Sequence, residues 1–242
     1  MFQFPRIKAL GLVLLASTLW SSAALASHFT QRIYDQDQFL YDNYTYGWYF
    51  QDGTRDAYDN WGFATINGSQ WSYGGFTYEF SNRGLRNSGN TRVGNFDVQR
   101  RQWVPASGNA DLRNYARMIW NIRNVTGGTQ NLNFRIFGNL GSDGVTRVTS
   151  TSDGDTTPET TDHWIATDDN SNGGGTPSLA FVFANAGATQ RISRVALQSD
   201  NLYFDWNNVR VPGNGTVSFL FFNIQDANQA ASHREARGVV NL

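Results

Sequence analysis

Alternation of apolar and polar residues with a period of two is the feature that most constrains the fold of this chain. In residues 115–124 the apolar side chains Ala116, Met118, Trp120 and Ile122 occupy every second position, and polar residues fill most positions between them. Residues 131–138 repeat the pattern. Such alternation puts the apolar side chains on one face of a β-strand, whereas a helix requires a period of 3.6.

Further strands are predicted along the whole chain, separated by turn residues at steps of about 8–15 residues. Their ranges are 44–51, 62–67, 71–72, 76–80, 96–104, 146–151, 163–167, 179–183, 194–198, 202–206 and 217–224. The last range is apolar at nearly every position, which predicts burial on both faces. The turn at 125–128 predicts that the strands on either side of it form a hairpin.

These elements predict an all-β fold, a large antiparallel β-sandwich of super-sandwich-like size with a short C-terminal helix. The helix is expected over residues 226–237, with Asp226 as its N-cap and Gly238 just after its end. No linker divides the polypeptide, so residues 27–242 are expected to form a single β-sandwich domain.

The first residues have the pattern of a signal peptide. Arg6 and Lys8 precede an apolar stretch over 9–25, and Ala24, Leu25 and Ala26 form a small-x-small cleavage site. Residues 1–26 are therefore predicted to be removed, and a membrane anchor is the alternative. No later run approaches the roughly 20 apolar residues of a membrane span. We expect a secreted protein, in the extracellular space, on the cell surface or in the periplasm.

Composition excludes several kinds of function. The chain has no Cys, which excludes disulfides and thiolate metal sites. Charged residues are 16% of the chain, and the formal net charge is −1. Lys8 is the only lysine, so residues 27–242 have no lysine nucleophile. A nearly neutral chain with no lysine in residues 27–242 argues against nucleic acid as a partner.

The middle of the chain contains a distinctive block. It reads RIFGNLGSD over 135–143, TSTSDGD over 149–155 and DHWIATDD over 162–169, followed by three glycines at 173–175. This block resembles a poorly characterised β module of secreted bacterial surface proteins, in which a GNLGSD turn, a TSSGD segment and a DRWVVTDD strand follow one another. The strand order and the length of 27–242 are also similar to the galactose mutarotase-like super-sandwich. These resemblances imply a β-sandwich fold, a location outside the cytoplasm and contact with carbohydrate.

An excess of aromatic residues near the N-terminus is the strongest indication of ligand binding. Sugars stack their apolar C–H faces on aromatic rings, while Asn, Asp, Gln and Arg can bind their hydroxyl groups. The candidates for such a surface are Tyr46, Trp48, Tyr58, Trp61 and Trp71. The alternative is that these side chains belong to the core or to a protein interface.

Clustered acidic residues are candidates for a calcium site, because Ca²⁺ prefers oxygen ligands. They are Asp153, Asp155, Asp162, Asp168 and Asp169. Neither 153–155 nor 168–170 matches the ligand spacing of an EF-hand loop. The alternative is that these acidic residues belong to solvated turns. Ca²⁺ is the only cofactor that the sequence suggests.

A catalytic site of the mutarotase type requires a His acid and a Glu base across one sugar ring. The resemblance implies a His just after Gly138, but Asn139 and Leu140 stand there. Glu79, Glu159 or Glu235 would have to meet His163 or an Asp in one pocket. We therefore expect a non-catalytic protein that binds polysaccharide or a cell-surface component. The alternatives are a self-assembling structural subunit of a surface or fibre and a carbohydrate-active enzyme.

Overall fold

The computed structural model describes residues 30–44, 49–72, 77–79, 85–87, 90–105 and 112–242. The predicted signal peptide lies outside these residues. The strands are β1 (Thr30–Tyr34), β2 (Leu40–Tyr44), β3 (Tyr58–Ile66), β4 (Ser69–Gln70), β5 (Thr77–Glu79), β6 (Leu85–Asn87), β7 (Thr91–Val93), β8 (Phe96–Trp103), β9 (Tyr115–Asn124), β10 (Gln130–Leu140), β11 (Arg147–Thr151), β12 (Trp164–Asp168), β13 (Ser178–Val182), β14 (Arg194–Gln198), β15 (Asn201–Val211) and β16 (Thr216–Asp226). One α-helix, α1 (Gln229–Val239), follows them. Among the described residues, no helix has the length and apolar character needed to cross a membrane.

Two antiparallel sheets form the body of the molecule, which confirms the predicted all-β sandwich with a C-terminal helix. The five-stranded sheet has the order β14-β15-β10-β3-β4. The nine-stranded sheet has the order β11-β12-β13-β16-β9-β8-β6-β5, with β7 also paired to β8. The β1–β2 pair joins the five-stranded sheet through isolated bridges from Asn43 to Phe50 and from Phe50 to Trp61.

The core lies between the two sheets and is rich in aromatic side chains. Phe134 of β10 packs against Trp120 of β9 and Phe219 of β16, with ring centroids 5.5 and 4.7 Å apart. Phe204 of β15 meets Phe221 of β16 at 5.0 Å. Trp120 and Phe134 occupy the apolar positions of the period-two pattern, so the alternation correctly predicted which face of β9 and β10 is buried.

The connection between β9 and β10 differs from the prediction. The two strands are not a hairpin, because β9 pairs with β8 and β16, whereas β10 pairs with β3 and β15. Residues 125–129 therefore form an arch from one sheet to the other, and residues 212–215 between β15 and β16 form a second arch. Asn124 joins the arches, because its Nδ2 donates to the carbonyls of Gly128, Val211 and Pro212.

Only part of strand β16 is buried on both faces, contrary to the prediction that the whole strand is. Its first half alternates, with Leu220 exposed, while residues 221–226 are buried on both faces. Helix α1 causes this difference, because it covers the outer face of the sheet and packs its apolar residues against Trp164 and Phe222. Its N-cap is Asn228, whose side chain accepts from the Ala231 N–H, and Gly238 lies inside the helix.

The N-terminal strands match the predictions least well. Residues 71–72 are not a strand, although the N–H of Trp71 donates to the carbonyl of Ala64. Short strand β4 precedes them instead. The predicted strand at 44–51 falls partly outside the described residues. The predicted strand at 76–80 also falls partly outside the described residues, and β5 occupies 77–79. Of the other predicted strands, 115–124 and 194–198 agree residue for residue, and the rest occur with shifted ends.

Candidate functional site

Three of the five predicted ligand-binding aromatic residues lie in the core. Tyr58 and Trp61 have no exposed surface, and Trp71 is 1% exposed. Trp61 packs against Phe181 of the opposite sheet, and Trp71 packs against Trp120 at 4.9 Å. The prediction of a binding surface is wrong for these three residues, because they take inward positions on or beside β3.

The other two candidates, Tyr46 and Trp48, lie outside the described residues.

The predicted calcium ligands do not come together. Among the described residues, no group of three or more His, Asp or Glu side chains could hold a metal ion. The five carboxylates are instead occupied by local hydrogen bonds that shape three separate turns. Their donors are the hydroxyl of Thr151 for Asp153 and Asp155, Ser152 for Asp162, Ser178 for Asp168, and Ser171 for Asp169. The turn interpretation therefore replaces the calcium prediction for these residues.

The residues considered for catalysis lie in different environments. Glu235 lies on the buried face of α1, where its carboxylate accepts from the N–H groups of Arg113 and Asn114. Glu159 is exposed, and His163 lies half-buried after it. Within the described part of the chain, no hydrogen bond or ion pair links either Glu to His163. The side chain of Glu79 lies outside the described residues.

The outer face of the five-stranded sheet carries a row of aromatic rings that the sequence analysis did not single out. Phe63 of β3, Phe137 of β10 and Tyr203 of β15 are cross-strand neighbours in register. Their ring centroids are 5.7 and 6.2 Å apart. Tyr49 continues the row, 4.5 Å from Phe63, and Tyr44 lies 5.2 Å beyond it. We call these five residues the aromatic strip.

All five rings of the aromatic strip are partly exposed. Their sheet neighbours Ala64, Ile136 and Phe204 point the other way and are fully buried. The strip is therefore not the outer edge of the core. It is an apolar surface that crosses three strands on the solvent side of the sandwich.

One flank of the strip is formed by two arginines that share one carboxylate. Asp205 accepts from Arg135 Nε at 2.5 Å and from Arg194 Nη1 at 3.4 Å. Both guanidinium groups also lie over the ring of Tyr203, at 5.6 and 5.4 Å from its centroid. The hydrogen bond to Asp205 raises the pKa of Arg135. This network fixes the Tyr203 end of the strip and places N–H donors beside it.

The opposite flank presents amide and carboxylate groups. In the register, Asn139 of β10 stands between Asp59 and Asn201, next to the row of rings. Burial raises the pKa of Asp59, and the nearby carboxylates of Asp56 and Asp143 raise it further. Hydrogen-bond donors and acceptors therefore border the rings on both sides.

Two glycines of the GNLGSD block allow β3 to approach β10 at this point. A Cβ atom on Gly138 would lie 2.6 Å from the carbonyl oxygen of Asn60 and the Cα of Trp61. One on Gly141 would overlap the carbonyl of Asp56. The block therefore has a structural role beneath the end of the aromatic strip.

A signal for the strip was present in the sequence. Phe137 and Tyr203 stand two positions from the polar residues Arg135 and Asp205 and therefore share their face of the strand. The core residues lie on the opposite face. Large aromatic residues in the outward phase of neighbouring strands indicate an exposed apolar surface. The pairing of β10 with β3 and β15 was needed to see that the three rings form one row.

Comparison with known proteins gives no family for this chain. No family model matches it, and no curated protein matches it. The expected resemblance to a module of secreted bacterial surface proteins is therefore unsupported.

Several solved structures are similar to this chain in part of its fold. A polysaccharide lyase has a TM-score of 0.44 at 8% identity, covering 73% of this chain and 27% of the lyase. A human-microbiome protein assigned as a kojibiose phosphorylase has a TM-score of 0.44 at 7% identity, covering 90% of this chain and 28% of that protein. A Klebsiella pneumoniae protein assigned as an aldose 1-epimerase has a TM-score of 0.38 at 8% identity, covering 65% and 54%. The chain thus spans only part of each of these proteins.

Proposed function

We propose that this chain is an exported glycan-binding protein and that it binds polysaccharide through the aromatic strip. The observation that carries the proposal is the registered row of partly exposed rings across β3, β10 and β15, bordered on both sides by polar groups. Export is inferred from the sequence of residues 1–26.

The chemistry of a sugar chain matches this surface. The apolar C–H face of a pyranose ring packs on aromatic rings, and the hydroxyl groups at its edge both donate and accept hydrogen bonds. Arg135 and Arg194 supply donors on one flank, while the carboxylate of Asp59 supplies acceptors on the other. Without such a ligand, the strip would leave a contiguous apolar surface in water.

The geometry favours an extended chain over a single terminal sugar. The strip crosses neighbouring strands, whose spacing of about 4.8 Å is comparable with the length of one sugar unit. Successive units could therefore meet successive rings from Tyr49 to Tyr203. We expect a linear polysaccharide that runs across the strands.

The test is a polysaccharide-binding screen of the purified protein, followed by titration of any bound polymer with Phe137→Ala and Tyr203→Ala. Each variant should weaken binding at least tenfold, which corresponds to about 1.4 kcal/mol. The matched control is Tyr34→Ala, which removes a 43% exposed ring of β1 outside the strip. Thermal unfolding of every variant establishes that the fold is retained.

Two results would contradict the proposal. One is a polymer that binds equally well to the wild type and both strip variants. The other is the absence of binding to any polymer, combined with a self-association that the strip variants abolish. The second result would make the strip an interface between copies of the chain, in agreement with the structural alternative.

A further inference from the structure

A small concave surface lies on the outer face of the nine-stranded sheet. It is a cavity of about 170 Å³ lined by Arg101, Gln102 and Trp103 of β8 and by Arg117 and Ile119 of β9. Trp103 stands opposite Arg117 in the register, and Arg101 stands opposite Ile119. We call this surface the arginine–tryptophan pocket.

The pocket faces solvent and is separate from the core. The β9 residues Met118 and Trp120, which alternate with its lining residues, are fully buried on the inner side of the sheet. The aromatic strip lies on the outer face of the other sheet. The two surfaces are therefore on opposite sides of the sandwich and share no residue.

Positive charge and an aromatic ring meet in this pocket. The Arg117 guanidinium lies over the ring of Trp103, 5.0 Å from its centroid. The ion pairs between described residues involve other arginines, so neither Arg101 nor Arg117 has a carboxylate partner among them. No acidic side chain of the described residues lines the cavity. A guanidinium group already held against a ring is a good partner for a carboxylate, because less side-chain freedom is lost on binding.

We propose that the arginine–tryptophan pocket binds an acidic sugar unit. The carboxylate would bind Arg117 and Arg101, and the apolar face of the sugar ring would pack against the side chains of Trp103 and Ile119. The cavity is smaller than the roughly 300–1,000 Å³ of pockets for drug-sized ligands, which suits one ring of a uronic acid. This site is independent of the polysaccharide site proposed on the strip.

The experiment compares an acidic with a neutral ligand of the same size. A galacturonate trisaccharide and a galactose trisaccharide are titrated into the purified protein by calorimetry. We expect the acidic sugar to bind at least tenfold more tightly, with an affinity that falls as salt is added. Arg117→Gln should weaken its binding about tenfold or more.

Arg123→Gln is the matched control, because it removes the same charge from an exposed position of the same strand outside the cavity. It should change the affinity less than twofold. Trp103→Leu provides a second test and should also weaken binding if the ring of the sugar packs there. Circular dichroism verifies that each variant is folded.

Three results would overturn the assignment. The first is that the two sugars bind with equal affinity, or that neither binds. The second is that Arg117→Gln and Arg123→Gln weaken binding of the acidic sugar equally. The third is that Phe137→Ala abolishes binding of the acidic sugar. Equal loss in the two arginine variants would mean that the acid is attracted only by overall charge. Loss in Phe137→Ala would place the acidic sugar on the aromatic strip.

Discussion

At the scale of single residues, Asp35 is a carboxyl group whose ionisation is strongly perturbed by burial. It is fully buried, and its Oδ1 accepts from the N–H groups of Asp37 and Phe39. Its Oδ2 has no hydrogen-bond partner among the described residues. Burial raises the pKa of Asp35 from 3.8 to about 8, since the two backbone hydrogen bonds only partly offset the loss of water. The protonated carboxyl is therefore the stable form in the fold at neutral pH.

Asp35→Asn should stabilise the protein at pH 8, because asparagine keeps the accepting oxygen and has no charge to bury. A pKa raised in the folded state contributes stability below the unfolded pKa of 3.8, and this contribution is lost as the pH rises towards 8. The expected gain at pH 8 is about 2 kcal/mol or more, and it should become small at pH 4. Urea unfolding at both pH values measures it, with the exposed Asp153→Asn as control. A variant that is less stable than the wild type at pH 8 would contradict this account.

The sequence around Trp61 and Trp71 predicts exposed side chains, although both are buried. Trp61 and Trp71 lie among Asp, Asn and Gln in the sequence, and this composition is typical of a polar surface. Their burial depends on which face of β3 meets the second sheet, and short aromatic segments have too weak an alternation to define that face. Trp61 in fact donates its Nε1–H to the buried Asn223, a partner 162 residues away.

At the scale of elements, the two arches between the sheets depend on Asn124. Its Nδ2 donates to the carbonyls of Gly128 and Pro212 in the two arches and of Val211 at the end of β15. Its Oδ1 accepts from the N–H and hydroxyl of Thr126. Asn124→Ala would leave buried carbonyls without donors and should lower the free energy of unfolding by about 2–3 kcal/mol. Asn121→Ala on the same strand, where the amide is partly exposed, should cost less than about 1 kcal/mol. Equal losses in the two variants, measured by urea unfolding, would show that the arches do not depend on this amide.

Strand positions could be predicted much better than strand pairing. Alternation over 115–124 and 131–138 locates β9 and β10, because each has one buried face. A turn such as 125–128 is compatible with a hairpin or an arch, and the choice depends on partners that lie far away in the sequence. β10 pairs with β3 and β15, and β9 pairs with β8 and β16. The aromatic strip is a product of that pairing, which is why the sequence alone did not reveal it.

At the scale of the whole molecule, each sheet has one of the two proposed binding surfaces on its solvent side, and helix α1 covers only part of the nine-stranded sheet. The strip and the arginine–tryptophan pocket differ in charge and shape, and they lie on opposite sides of the core. A protein with both sites would hold a linear polysaccharide on one face and an acidic sugar on the other. The fold class predicted from the sequence is confirmed, whereas the position of each surface depends on which strands are neighbours.

The whole molecule should also be more stable at pH 5 than at pH 8. The pKa values of four buried carboxyl groups are raised mainly by the loss of water; these are Asp35, Asp42, Asp226 and Glu235. Because each binds its proton more tightly in the folded state, stability falls as the pH rises through their folded pKa values.

His233 acts in the opposite direction, since burial lowers its pKa and its stabilising effect is lost on acidification below about 6.5. One such histidine should not outweigh four carboxyls, so the unfolding temperature should rise by several degrees between pH 8 and pH 5. Calorimetry in buffers of equal ionic strength tests this expectation, and a higher unfolding temperature at pH 8 would mean that these carboxyls are ionised in the fold.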